Sequence, residues 1–95
     1  MFAVSFDLHY AQTQAQHPKG LRQAYRDIER TLRRYEFERV QQSVYLTQSP
    51  DIANLFDAIS ALRALAWFPA CVKDIKAFRV ENWSDFTPSM KGSNR

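Results

Sequence analysis

The residue that stands out for chemistry is Asp7, in the stretch FAVSFDL. Aspartate is depleted in strands and is seldom buried without a partner. Phe2, Val4, Phe6 and Leu8 alternate here with Ala3, Ser5, Asp7 and His9, and a period of two predicts a strand with one apolar face. Asp7 then belongs to the other face, near the C-terminal end of the strand, as its only charged position. A carboxylate so placed either sits at a solvated strand end with a polar neighbour, or works as a general base or cation ligand. His9 shares the Asp7 face by the same alternation and is a candidate proton carrier or substrate contact.

A second group of candidates comes from FERVQQSVYLTQ, which reads as two short strands around Gln41-Gln42. Val44 and Leu46 are assigned to the core, leaving Ser43, Tyr45 and Thr47 on the other face. If this strand runs antiparallel to the first, the end of one meets the start of the other. Ser43 then lies beside Asp7, with Tyr45 one step along, and a carboxylate next to a hydroxyl makes a candidate polar site. Arg39 and Arg79, also on strands, are the candidates for holding substrate on the Asp7 side. Arg22, Arg26, Arg30 and Arg33 form a stripe along a helix, read as a solvated face on the helix side of the sheet, away from Asp7. No Asp/Glu/His cluster has local metal-ligand spacing. One carboxylate per chain is too few for a metal, so any Mg2+ would be shared by two Asp7 residues at a dimer interface.

These residues need elements to position them. GLRQAYRDIERTLRRY carries Leu21, Ala24, Tyr25, Ile28, Leu32 and Tyr35 at intervals of three and four, an amphipathic helix. The preceding AQTQAQHPKG lacks an apolar period and reads as a mobile loop, with His17 exposed. SPDIANLFDAISALRALAWF predicts a second helix with Ser49 as N-cap, Pro50 at the first helical position and an apolar stripe of Leu55, Phe56, Ile59, Leu62 and Ala66, stopped by Pro69. ACVKDIKAFRVEN is a last strand. The order strand, helix, strand, strand, helix, strand is the ferredoxin-like α+β pattern: a four-stranded antiparallel sheet with two helices on one face. The domain spans 1–90, and 91–95 reads as a disordered tail. The last strand has Ile75 and Ala77 on one face and Phe78 and Val80 on the other, which calls for cover on both sides or a bulge. With no third layer in the sequence, a second copy of the chain is the simplest cover.

Composition bounds what remains. The 95 residues make one domain, 45% of them hydrophobic. Thirteen basic residues against ten acidic ones give a net charge of +3, a mild hint of an anionic partner. Two glycines argue against phosphate loops and dinucleotide fingerprints. A single cysteine, Cys71, excludes an internal disulfide and reads as a small core residue. The start MFAVS has no charged leader, and no apolar run reaches the ~18 residues of a membrane span, so a cytoplasmic protein is expected. Trp67, Phe68, Trp83 and Phe86 read as core or interface.

FAVSFDL, HPKGLRQAYRDI, FERVQQSVY, ANLFDAISAL and VKDIKAFRVENWSDFT together resemble the virulence-associated protein D (VapD) family. The resemblance spans residues 1 to about 87, and its most specific pieces are DIKAFRV and WSDFT. That family is similar to the small CRISPR-associated ferredoxin-like endonucleases, which also place an aspartate at the end of the first strand. The resemblance implies an endoribonuclease, the toxin of a pair with a cognate antitoxin protein. It implies a homodimer with the two first-strand aspartates near the interface. Carried over by position, the family's aspartate falls on Asp7 and its strand hydroxyls on Ser43 and Tyr45. One departure is Gln42, where VapD relatives usually have glycine. A binding or interaction dimer without catalysis is the alternative on the same fold.

Overall fold

A computed structural model describes residues 1–92. The chain runs β1 (Phe2–Leu8), α1 (Tyr10–Gln16), α2 (Gly20–Arg33), β2 (Glu38–Gln41), β3 (Val44–Thr47), α3 (Ile52–Arg63), α4 (Phe68–Cys71), β4 (Val72–Arg79) and α5 (Thr87–Met90). The four strands form one antiparallel sheet in the order β2-β3-β1-β4. This is the ferredoxin-like arrangement that the element order predicts. β1 is central, between β3 and β4.

Alternation along β1 decides where the core lies. Phe2, Val4, Phe6 and Leu8 are buried. They pack with Tyr25, Ile28 and Leu32 of α2, Leu55, Ala58 and Leu62 of α3, and Phe68 of α4. Phe6 is the hub of an aromatic cluster, with ring centroids 6.2 Å from Tyr25, 6.2 Å from Tyr45 and 6.4 Å from Phe68. Cys71 is free and fully buried, the core role its sequence setting suggests.

Four readings are corrected by the structure. First, AQTQAQHPKG is not a loop: most of it is α1, held by polar contacts instead of an apolar stripe. Thr13, its buried residue, donates its hydroxyl to the His9 carbonyl at 2.8 Å. His17 is buried, not exposed; it lies 2.6 Å from Asp27 and meets Trp67 edge-on. Second, the N-cap of α3 is Asp51, whose carboxylate accepts from Ala53 N–H at 2.9 Å. Ser49 instead accepts from Asp51 N–H at 3.2 Å. Pro50 therefore lies outside the helix. Phe56, assigned to the stripe, is exposed, and Ala58 takes the buried place.

Third, β3 faces the other way. Tyr45 pairs with Val4 and Thr47 with Phe2, so both side chains enter the core, while Val44 and Leu46 lie on the open face opposite Ser5 and Ala3. Fourth, the open face is partly covered by its own chain. Phe78 sits opposite Ala3, and the segment from Trp83 to Met90 rims a cleft of about 840 Å³ over Ala3, Leu46 and Phe78. The bulge in the last strand also exists: Asp7 pairs with Asp74 but Leu8 with Val72, which leaves Lys73 as the extra residue. Lys91 and Gly92 form a hydrogen-bonded turn after α5, and the rest of the expected tail, 93–95, lies outside the described residues.

Candidate active site

Asp7 is exposed at the end of a strand whose alternate residues are buried. The sheet requires this. Phe6 and Leu8 carry the core face, so the residue between them must face away from it. Directly across on β4 is Asp74. Residues opposite each other in an antiparallel pair share a face, with Cβ atoms about 4.5–5.5 Å apart. One chain thus brings two carboxylates together, which no local spacing in the sequence announces. The signal was present in the register: counting back from Ala3↔Phe78 along two antiparallel strands leads to Asp7↔Asp74. Asp74 is ion-paired with Lys76, itself opposite Ser5. The Lys73 bulge lets Val72 turn to the core beside Leu8 while Asp74 keeps its place opposite Asp7.

Hydroxyls gather on the other side of the same strand end. The Phe6 N–H donates to the Ser43 carbonyl at 3.1 Å, so Ser43 lies at the Asp7 end of β1, as expected. Its hydroxyl, however, engages Tyr25 of α2. Tyr25 also interacts with the Tyr10 hydroxyl and feels the Asp7 charge. Burial raises the Tyr25 pKa above the ordinary tyrosine value, and Tyr10 and the Asp7 charge add to this against an opposing contribution from Ser43. Tyr25 therefore stays a neutral hydroxyl at physiological pH. Tyr10 is half exposed and reaches solvent from the start of α1. Tyr10 and Tyr25 were missed from sequence: Tyr25 reads as core, and Tyr10 follows a strand with no period of its own.

The remaining predicted site residues divide. Tyr45 is removed from the site, because its side chain is fully buried in the core and its hydroxyl has no hydrogen-bond partner among the described residues. Burial pushes its pKa up to about 12. Arg79 pairs with Phe2, at the opposite end of β1 from Asp7, and stacks its guanidinium 5.2 Å from the Phe2 ring centroid. Five residues of strand, about 17 Å, separate the two positions. His9 is exposed where β1 gives way to α1, its N–H bonded to the Cys71 carbonyl at 2.9 Å. The strand ends at Leu8, so alternation no longer fixes the side on which the ring lies. Arg39 pairs with Tyr45, which puts it on the helix side of edge strand β2.

Among the described residues no group of three or more His, Cys, Asp or Glu side chains is placed to hold a metal. The Asp7–Asp74 pair still suits Mg2+, which commonly binds through one or two carboxylates together with water and substrate phosphate. Among the described residues no helix is long and apolar enough to cross a membrane.

The comparisons with known proteins agree with this architecture. The family model for CRISPR associated protein Cas2 matches residues 1–86. The chain is 57% identical over 91 residues to the endoribonuclease VapD homolog of Neisseria gonorrhoeae, covering 96% of this chain and 99% of that one. It is 51% identical over 87 residues to endoribonuclease VapD of Haemophilus influenzae, covering 92% and 94%. It is 41% identical over 93 residues to endoribonuclease VapD of Dichelobacter nodosus, covering 98% and 100%. A sheet ordered β2-β3-β1-β4, an aspartate at the end of its central strand and identity at this level over nearly the whole length lead to one conclusion: the chain belongs to the Cas2 family and to the VapD family that these relatives share.

Proposed function

We propose that this protein is an endoribonuclease that cuts RNA phosphodiester bonds at Asp7. The observation that carries the reading is the strand end itself. An exposed carboxylate faces a second carboxylate at a strand end where Tyr25, in contact with Ser43 and Tyr10, feels its charge, in a chain 57% identical to a protein named as an endoribonuclease. In the reaction, Asp7 takes the proton from the attacking oxygen, either the ribose 2′-hydroxyl or water. The bond from phosphorus to the leaving oxygen breaks, and that oxygen takes up a proton. Tyr10, the solvent-accessible hydroxyl of the cluster, supplies it. Ser43 and Tyr25 stabilise charge on the phosphate oxygens by donating hydrogen bonds. Asp7 and Asp74 would hold Mg2+, which when bound supplies positive charge to a phosphate oxygen. Lys76 offsets the Asp74 charge and so limits repulsion between the two carboxylates.

The reading extends to a cytoplasmic homodimer acting as the toxin of a toxin–antitoxin pair. The pairing with an antitoxin rests on the resemblance to VapD alone. The dimer is supported by exposed apolar side chains on and beside the open face, namely Phe78, Trp83, Phe86 and Met90. An RNA substrate and a free, buried thiol fit a cytoplasmic setting.

The test is purified protein with an end-labelled RNA, with and without chelator, and analysis of the product ends. A 2′,3′-cyclic phosphate marks attack by the ribose hydroxyl, and a new 3′-hydroxyl marks attack by water. RNA retained but uncut under every condition would make the protein a binding dimer.

A further inference from the structure

We infer that the cleft between α2 and β2 is the track for the phosphate backbone of single-stranded RNA leading to the Asp7 end of β1; this deepens the endoribonuclease reading and rests on it.

The helix stripe is not uniform. Arg30 lies 3.9 Å from Asp27, and Arg33 lies 3.9 Å from Glu29. Those two arginines are matched within the helix. Arg22 and Arg26 have no ion-pair partner among the described residues, and neither has Arg39 on β2. These three unmatched arginines line one cleft of about 570 Å³, together with Gln14, Gln42 and Tyr25. Glu29 also reaches it, but its charge is met by Arg33. Two of the stripe's four arginines, Arg22 and Arg26, share that helix-side cleft with a third from the sheet edge.

Two features make this a track for an extended anion. Arg22 and Arg26 are four residues apart on one helix, so their Cβ atoms stand about 5–6 Å apart on a common face. Arg39 supplies the opposite wall from the sheet edge. Guanidinium forks on both sides, with amides at Gln14 and Gln42, match phosphate oxygens in a row better than a single bound ion. The cleft also has a direction. Gln42 and Tyr25 form part of its lining, and Gln42 precedes Ser43, whose carbonyl accepts from the Phe6 N–H at 3.1 Å, one residue before Asp7. A backbone lying along the three arginines therefore arrives at the end of β1 that carries Asp7, with Gln42 and Tyr25 at that end of the cleft. The cleft is wide open and carries no base-reading element, so it positions RNA and does not select its sequence.

The experiment measures binding apart from cleavage. A fluorescent single-stranded RNA is titrated, over a range of salt, into Asp7→Asn, into Asp7→Asn with Arg22→Gln, Arg26→Gln and Arg39→Gln, and into Asp7→Asn with Arg30→Gln, Arg34→Gln and Arg63→Gln. The last two lose the same net charge. The cleft variant should bind about tenfold more weakly or worse at low salt. Its salt slope should fall by about two, the counterion release of three single-strand phosphate contacts. The other arginine variant should stay within about threefold. Circular dichroism melting confirms that both are folded, since exposed substitutions cost within ~0.5 kcal/mol. With Asp7 restored, the cleft variant should raise KM and leave kcat nearly unchanged. Equal binding and equal slopes in the two arginine variants would overturn the track and leave the endoribonuclease reading standing. An otherwise native protein that neither binds nor cuts RNA would overturn both.

Discussion

Tyr45 shows most directly what single side chains decide here. A buried hydroxyl without a partner costs about 1–3 kcal/mol relative to a satisfied one. Tyr45→Phe removes only that hydroxyl. The variant should be as stable as the native protein or more so by urea titration, and should retain RNA cleavage. A large loss of activity would return Tyr45 to the site. Asp74→Asn acts in the opposite way. It leaves Asp7 without its cross-strand carboxylate and should weaken any Mg2+ requirement-dependent cleavage by about 10–100-fold, the usual range when a group supporting a metal site is lost. Unchanged Mg2+ dependence in that variant would remove Asp74 from the site. Legibility at this scale was uneven. Asp7 could be read, because four apolar neighbours fix its face. Tyr45 could not. In β3 the two faces carry Val44 and Leu46 on one side and Tyr45 and Thr47 on the other, and the open face is itself apolar around Ala3 and Phe78. A strand with apolar residues on both faces does not specify its own register.

Among the elements, α1 is the one whose stability is polar. Its connection to α2 depends on His17. The Nδ1 of that ring accepts from Lys19 N–H at 3.0 Å, so the other nitrogen carries the proton and donates to Asp27 at 2.6 Å. Gln14 accepts from Leu21 N–H at 2.8 Å, and Gly20 makes the turn with φ +83°. A Cβ at position 20 would strain that conformation and stand 3.0 Å from the Gln14 amide nitrogen. Gly20→Ala should therefore lower stability by about 1–3 kcal/mol in a denaturant titration. The Asp27 pKa is raised by burial but lowered more by its hydrogen bonds from His17 and Gln23, and the net direction is down. A carboxylate with a depressed folded-state pKa stabilises the fold above its unfolded pKa, near 3.8, and that contribution is lost as pH falls through the folded value. Stability should drop below about pH 4, and Asp27→Asn should flatten that part of the curve. An identical acid profile in the variant would assign the loss to other groups. Hydrogen bonds of this kind leave no period in a sequence, which is why AQTQAQHPKG reads as a loop while the apolar spacing of α2 was plain.

The whole molecule is a sheet with one face sealed by α2 and α3 and the other only partly covered. Phe86 and Met90 are 65% and 80% exposed at the rim of the open-face cleft. Apolar surface of that kind on a small chain favours a second copy. Sedimentation at micromolar concentration should give about twice the 11.1 kDa chain mass, and Phe78→Asp should shift it toward the monomer. A monomer in the native protein would contradict the dimer and leave the single-chain Asp7–Asp74 pair intact. The strand order could be read from the sequence because six elements in sequence imply it. The cover by the Trp83–Met90 segment could not, since its aromatic residues have no period that assigns them to a surface. The central claim is that Asp7 does the chemistry, and the most direct measurement is the rate at which purified Asp7→Asn cuts labelled RNA. Asn keeps the shape and removes the charge, so the variant should fold as the native protein does. Its cleavage should fall by ~10²-fold or more, the scale expected for a lost general base. Cleavage at the native rate would contradict the account and make Asp7 a solvated strand end.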